Sequence, residues 1–160
     1  MTVAPINELG VLWRGAYESV LLKVRHDWNP EDCEDEADYR DSLVAFLRGV
    51  VPPDVLVEME YPHEGGRIDV FVRWPRLLST AKIYFELKCD LRVASEYDRL
   101  IGQLDRVGVG ENDVVVVLCG DTDPRFTARL RQRFAGLLQP LVPFMDVTAA
   151  SFTIVEKSSR

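Results

Sequence analysis

Three residues in the middle of this 160-residue chain carry chemistry that needs an explanation. The tetrapeptide Phe-Glu-Leu-Lys at residues 85–88 sets Glu86 and Lys88 two apart in an apolar run over residues 82–91. Residues two apart in a β-strand leave the same face of the sheet. A carboxylate therefore stands beside an amine, while Phe85 and Leu87 point the other way. Asp69 is at the centre of a second such run, Arg-Ile-Asp-Val-Phe-Val at residues 67–72. Two carboxylates and a lysine are costly to bury in a small sheet unless they pair or hold a metal. Read as a metal site, Asp69 and Glu86 are hard oxygen donors suited to Mg²⁺ or Mn²⁺, which needs only one or two carboxylates besides waters and substrate phosphate. Lys88 would position and activate the attacking water and offset charge growing on phosphorus. That division of labour is metal-assisted phosphodiester hydrolysis. Read structurally, the same residues form a salt bridge across two strands, which adds little when exposed.

The elements that must position these residues are legible from spacing. Residues 6–24 carry Leu9, Trp13, Ala16, Tyr17, Val20 and Val24 at a helical period, ended by Asp27, Asn29 and Pro30. A second helix is predicted over 34–50, with Tyr39, Leu43, Phe46, Leu47 and Val50 on one face and Pro52-Pro53 beyond it. Residues 55–61 alternate Val55, Val57, Met59 and Tyr61 against Leu56, Glu58 and Glu60, as a strand does. A turn over 62–66, containing Gly65-Gly66, joins it to a hairpin partner over 67–74. A loop from Trp74 to Thr80 precedes the 82–91 strand. Ser95 is the expected N-cap of a helix over 96–107, with Tyr97, Leu100, Ile101 and Leu104 inward and Gly108 and Gly110 at its exit. Residues 113–120 form an apolar strand of the kind buried on both faces. A further helix covers 124–138, with Pro124 in its first turn, and 152–156 is a short last strand. This order implies an α/β fold with a mixed sheet.

With Ile68-Asp69, sixteen intervening residues and then Glu86-Leu87-Lys88 set on that order of elements, the chain resembles the PD-(D/E)xK nuclease superfamily. That superfamily spans restriction endonucleases, Holliday-junction resolvases and many repair and phage-defence nucleases. The resemblance covers about residues 34–120. It implies a restriction-endonuclease-like αβββαβ core with a mixed central sheet flanked by helices. One domain would cover residues 1–160, with an N-terminal helical extension over 1–30 and the core over 31–160. It implies a DNA endonuclease that uses Mg²⁺, with Mn²⁺ as a substitute, held by Asp69 and Glu86 and by the Leu87 carbonyl. The family often adds an acid on the first core helix. Glu36 fits best, continuing the stripe of Tyr39/Arg40, Leu43 and Phe46/Leu47, with Asp38 and Asp35 as fallbacks. Some branches carry a glutamine on the helix after the lysine, matched by Gln103 in Leu-Ile-Gly-Gln-Leu, which would orient the site. Ile68 stands where the family name has proline, and Val107 where those branches place tyrosine. Inactive and RNA-acting members exist, so the alternative is a catalytically silent nuclease-fold module that binds nucleic acid or a protein partner. A plain α/β domain working through protein contacts alone is a third reading.

Charge limits the partners. The net charge is −7, which excludes a general nucleic-acid coat, yet it is unevenly spread. Residues 1–64 hold 14 acidic and 5 basic side chains, and residues 65–160 hold 12 and 14. An acidic protein can still offer one basic face to a polyanion. Arg125, Arg129 and Arg133 align at four-residue spacing, either to track a nucleic-acid backbone or as a solvated helix face. Arg99, one turn before Gln103, and Arg106, three residues after it, either flank a phosphate or are solvated. Arg92 and Lys82 share that ambiguity. A homodimer through the stripe over residues 9–24 is one expectation, a core role for that stripe another, and a partner subunit would supply missing basic surface. Cys33, Cys89 and Cys119 are odd in number and lack a CxxC, which argues against a disulfide framework or zinc knuckle and for reduced thiols in a cytoplasmic protein. No basic segment leads into an apolar run at the N-terminus, and the longest unbroken apolar stretch, residues 114–119, is too short to span a bilayer. His26 and His63 are the only histidines, too few for histidine-pair chemistry. Neither is placed to activate Cys119, and Cys89 alternates away from Glu86 into the core. No Gly-rich phosphate loop occurs.

Overall fold

The computed structural model describes residues 2–138 and 150–158. Among these, six helices and five strands follow in the order α1 (Glu8–Arg14), α2 (Ala16–His26), α3 (Glu36–Val50), β1 (Leu56–His63), β2 (Gly66–Pro75), β3 (Thr80–Cys89), α4 (Ala94–Val107), β4 (Asp113–Cys119), α5 (Pro124–Arg133), α6 (Ala135–Leu138) and β5 (Phe152–Lys157). The strands form one mixed sheet in chain order. β1–β2 and β2–β3 are antiparallel, and β3–β4 and β4–β5 are parallel. Parallel neighbours need a crossover, which α4 supplies between β3 and β4. The strand that carries Glu86 and Lys88 is thus the middle one of five.

Both faces of the sheet are covered. One core packs Val20, Val24, Tyr39, Leu43 and Leu47 of α2 and α3 onto Val70, Val72, Phe85 and Leu87. The other packs Tyr97, Leu100 and Leu104 of α4 with Phe126 and Leu130 of α5 onto Tyr84, Val116 and Leu118. Burial on both faces explains the unbroken valine run of β4. The β1–β2 turn is tight: Glu64 and Gly65 hold φ of 45° and 75° between the paired His63 and Gly66, the sense that suits a two-residue hairpin. No helix among the described residues is long and apolar enough to cross a membrane.

Four sequence expectations are corrected. The helix over 6–24 is two helices, parted at Gly15 (φ 86°, ψ 164°). The break turns Ala16, Val20 and Val24 inward but leaves Leu9 and Trp13 at 65% and 89% exposure. The helix over 124–138 is also two, because Phe134 (φ −109°, ψ 23°) leaves helical geometry with its ring 4.7 Å from that of Phe152. Ser95 does not cap α4, which starts at Ala94 after an extended Val93 without a side-chain cap bond. Tyr61 does not share a face with Val55 and Val57: these two pack beneath α3, whereas Tyr61 packs with the opposite core.

Gly15 occupies a backbone region open essentially only to glycine. Gly15→Ala is expected to lower the unfolding free energy by about 1–3 kcal/mol in urea titrations. Gly49→Ala, on α3 with open space around its added methyl, is expected to raise it by about 0.5–1 kcal/mol.

Candidate active site where two strands part

The site begins with a break in backbone pairing. β2 and β3 pair from Pro75 and Thr80 up to Val70 and Phe85, and the register stops there. The β1–β2 register skips Glu60 and Asp69, although Met59 pairs with Val70 and Tyr61 with Ile68. Glu60 has φ 51°, a left-handed conformation that costs a non-glycine residue about 1–3 kcal/mol. Arg40 and Arg67 lie 3.3 and 3.8 Å from its carboxylate. Across this point the hairpin changes face: Val70 and Val72 lie beneath α3, but Ile68 packs with the α4 core. The hairpin thus peels off β3 at Asp69.

Peeling strips partners from β3, and buried N–H groups must find others. Two carboxylates supply them. The Leu87 N–H donates to Asp69 Oδ2 at 2.8 Å, and the Cys89 N–H donates to Glu36 Oε2 at 3.3 Å. Glu36 is the first residue of α3, whose N-cap Asp35 accepts the Asp38 N–H. Asp38 in turn accepts the Glu34 N–H at 3.0 Å. The two fallback acids are therefore spent on capping, and Glu36 alone of the three reaches the strand. The same Glu36 oxygen lies 3.4 Å from Lys88 Nζ.

Glu86 stands apart from this network. It is 1% exposed, and neither carboxylate oxygen receives a hydrogen bond among the described residues. Burial first, then the negative charge of Asp69, drives its pKa well above the ordinary carboxylate range, with Arg106 opposing. Asp69 is also shifted upward by burial, held back by the Leu87 N–H. Protonation of Glu86 relieves both the cost of its burial and its repulsion from Asp69. Carboxyls pushed up by burial and a like-charged neighbour mark functional sites.

Asp69, Glu86, Lys88, Glu36 and the Leu87 backbone are therefore brought together. Arg106 lies against Gly66 at the start of β2, on the Glu86 side. Gln103 is half-buried on α4 and makes no hydrogen bond to these groups among the described residues. Arg99 is exposed and forms no ion pair among the described residues. In the α5 row, Arg125 is tied to Asp123 at 2.6 Å, Arg129 stacks over Tyr97 at 4.3 Å, and Arg133 approaches Asp105 at 3.9 Å. Sequence reasoning missed Arg40 as a site residue. It lines a cavity of about 340 Å³ with Asp35, Glu36, Ala37 and Asp69. Its signal was its place one helical turn after Glu36.

Among the described residues no cluster of three or more His, Cys, Asp or Glu groups is arranged to hold a metal ion. The donors nonetheless suit a hard divalent cation. Two buried carboxylate oxygens of Glu86 lack a hydrogen-bond partner among the described residues, a second carboxylate adjoins them, and Glu36 stands at the edge, while magnesium asks for only one or two carboxylates. No protein-family model, curated protein or solved structure matches the chain.

The shifted carboxyls fix a sign for pH dependence. A carboxyl with a raised folded-state pKa costs nothing below its unfolded value of about 4.3 and destabilises increasingly as pH climbs towards the folded value. In metal-free buffer, Glu86→Gln is expected to match wild type near that lower pH. At neutral pH it should be more stable by on the order of 1–3 kcal/mol. Thermal melts across pH read this difference, and a constant gap would refute it.

Proposed function

We propose that this chain is a divalent-metal-dependent nuclease of the PD-(D/E)xK type, with a restriction-endonuclease-like core, that cleaves DNA internally. One observation carries the reading. Glu86 is buried on the central strand with both oxygens unpartnered, beside Asp69 and with Lys88 two residues on. A structural salt bridge would satisfy that carboxylate, and here the lysine amine lies on Glu36 instead. Leaving a buried carboxylate unpaired is a cost that function explains better than stability does.

Mg²⁺, or Mn²⁺ in its stead, would polarise the phosphoryl group and neutralise developing charge. Asp69 and Glu86 would hold the cation, with Glu36 and the Leu87 carbonyl as further donors. Asp69 is oriented for this by the Leu87 N–H. Lys88 is only 16% exposed in its side chain and is steadied by Glu36. Its amine would position the attacking water and stabilise the charge that grows on the phosphoryl oxygens. Arg40, in the cavity beside Asp69, would steady the adjoining phosphate. Arg99 and Arg106 form no ion pair among the described residues and would meet the nucleic-acid backbone. That supply is small for a chain of charge −7, so a second copy or a partner subunit would widen the basic surface.

Cleavage of supercoiled plasmid, single-stranded DNA and RNA with Mg²⁺ or Mn²⁺ tests the proposal. Wild type should nick plasmid only with metal, and Lys88→Ala should be slower by at least about 10²-fold. Equal rates would place the activity elsewhere. If wild type binds but never cuts, and Glu86→Ala binds equally well, the chain is a silent nucleic-acid-binding module instead.

A further inference from the structure

The face of β2 and β3 that carries Glu86 also carries a like-charged pair that the fold leaves unanswered. Arg73 of β2 and Lys82 of β3 are register partners. Two like charges thus stand directly opposite each other, an arrangement that destabilises a strand pair. Both side chains are exposed, and neither forms an ion pair among the described residues. Two residues along each strand, on the same face, come Phe71 and Tyr84, with ring centroids 5.1 Å apart. Tyr61 stacks on Phe71 at 4.1 Å, and His63 tilts against Tyr84 at 5.2 Å. Phe71 and Tyr84 are buried, whereas Tyr61 and His63 are only half-buried and form the outer layer of the cluster. His63 pairs with Gly66, where the exposed Arg106 side chain rests. Glu86 lies two residues beyond Tyr84 on the same face. Cations and rings therefore run in one track, with Lys82 about 13 Å from Glu86 along β3. Glu58, half-buried on the outer strand, is the one acid of this face of β1–β3 beyond the site, which leaves this face of the three strands net positive.

We propose that this track holds a single DNA strand with unpaired bases, leading into the site. The inference rests on the nuclease reading above and names the substrate it would take: DNA with a single-stranded stretch beside the scissile bond. Proteins that hold single strands without reading their sequence combine cations that follow the backbone with rings on which bases stack. Backbone phosphates would offset the repulsion between Arg73 and Lys82, and bases would lie on Tyr61 and His63. A duplex keeps its bases stacked on one another, so it would meet the cations and gain nothing from the rings.

Fluorescence anisotropy in EDTA reads this binding without cleavage. A fluorescein-labelled deoxythymidine oligomer should bind wild type more tightly than a blunt duplex of equal length. Tyr61→Leu keeps apolar bulk but removes the ring, and should weaken that binding at least about fivefold. Arg73→Gln/Lys82→Gln changes only exposed side chains. It should lower the slope of log affinity against log salt by about 1.4, the loss of two phosphate contacts on a single strand. If Tyr61→Leu loses the wild-type circular dichroism spectrum, the double variant alone decides. Equal affinity for the duplex, or an unchanged salt slope in the double variant, overturns the inference even where plasmid is cut. Tighter binding of a uridine oligoribonucleotide overturns it in favour of RNA. Binding that meets every expectation in a wild type that never cuts upholds the strand path and sinks only the nuclease reading.

Discussion

The arrangement at the centre of this protein depends on two backbone N–H groups, those of Leu87 and Cys89, which lose their strand partner where β2 leaves β3. Unpaired inside the sheet, each would cost about 1–3 kcal/mol. Asp69 and Glu36 answer that cost, and in doing so they are fixed in place beside Glu86 and Lys88. The requirement to satisfy the backbone and the requirement to gather acids are thus met by the same contacts. Glu60 belongs to the same event, since its left-handed backbone sits opposite Asp69 at the point where both strands of the hairpin change face.

Glu86 shows what this arrangement does not resolve. The strand hydrogen bonds, the caps of α3 and the two packed cores are closed systems, but this one carboxylate is enclosed without a donor. Its proton and a divalent cation would compete for the same oxygens, so cation affinity would rise with pH.

Much of this was legible in the sequence. Period-two spacing put Glu86 beside Lys88, the valine run announced β4, and the apolar stripe of α3 led one turn back to Glu36. The rest was hidden for physical reasons. The alternation of Val55, Val57, Met59 and Tyr61 carries no mark of a face change, because a glutamate in a left-handed conformation looks like any other strand residue. Leu9, Trp13, Ala16 and Tyr17 keep helical spacing across Gly15, so the pattern masked a break that only the backbone angles reveal. Arg40 reads as part of a helix face until the fold sets Asp69 opposite it. The arginine row of α5 was correctly spaced, but spacing says nothing of Asp123, Tyr97 and Asp105, which occupy its three members.

Gly66 opens β2 with the Arg106 side chain resting where a β-carbon would be. Arg106 is the cation that tempers the proton affinity of Glu86. Any side chain at position 66 must push that guanidinium aside. The size of one residue in a surface hairpin therefore bears on the placement of a cation that faces an acid at the heart of the sheet.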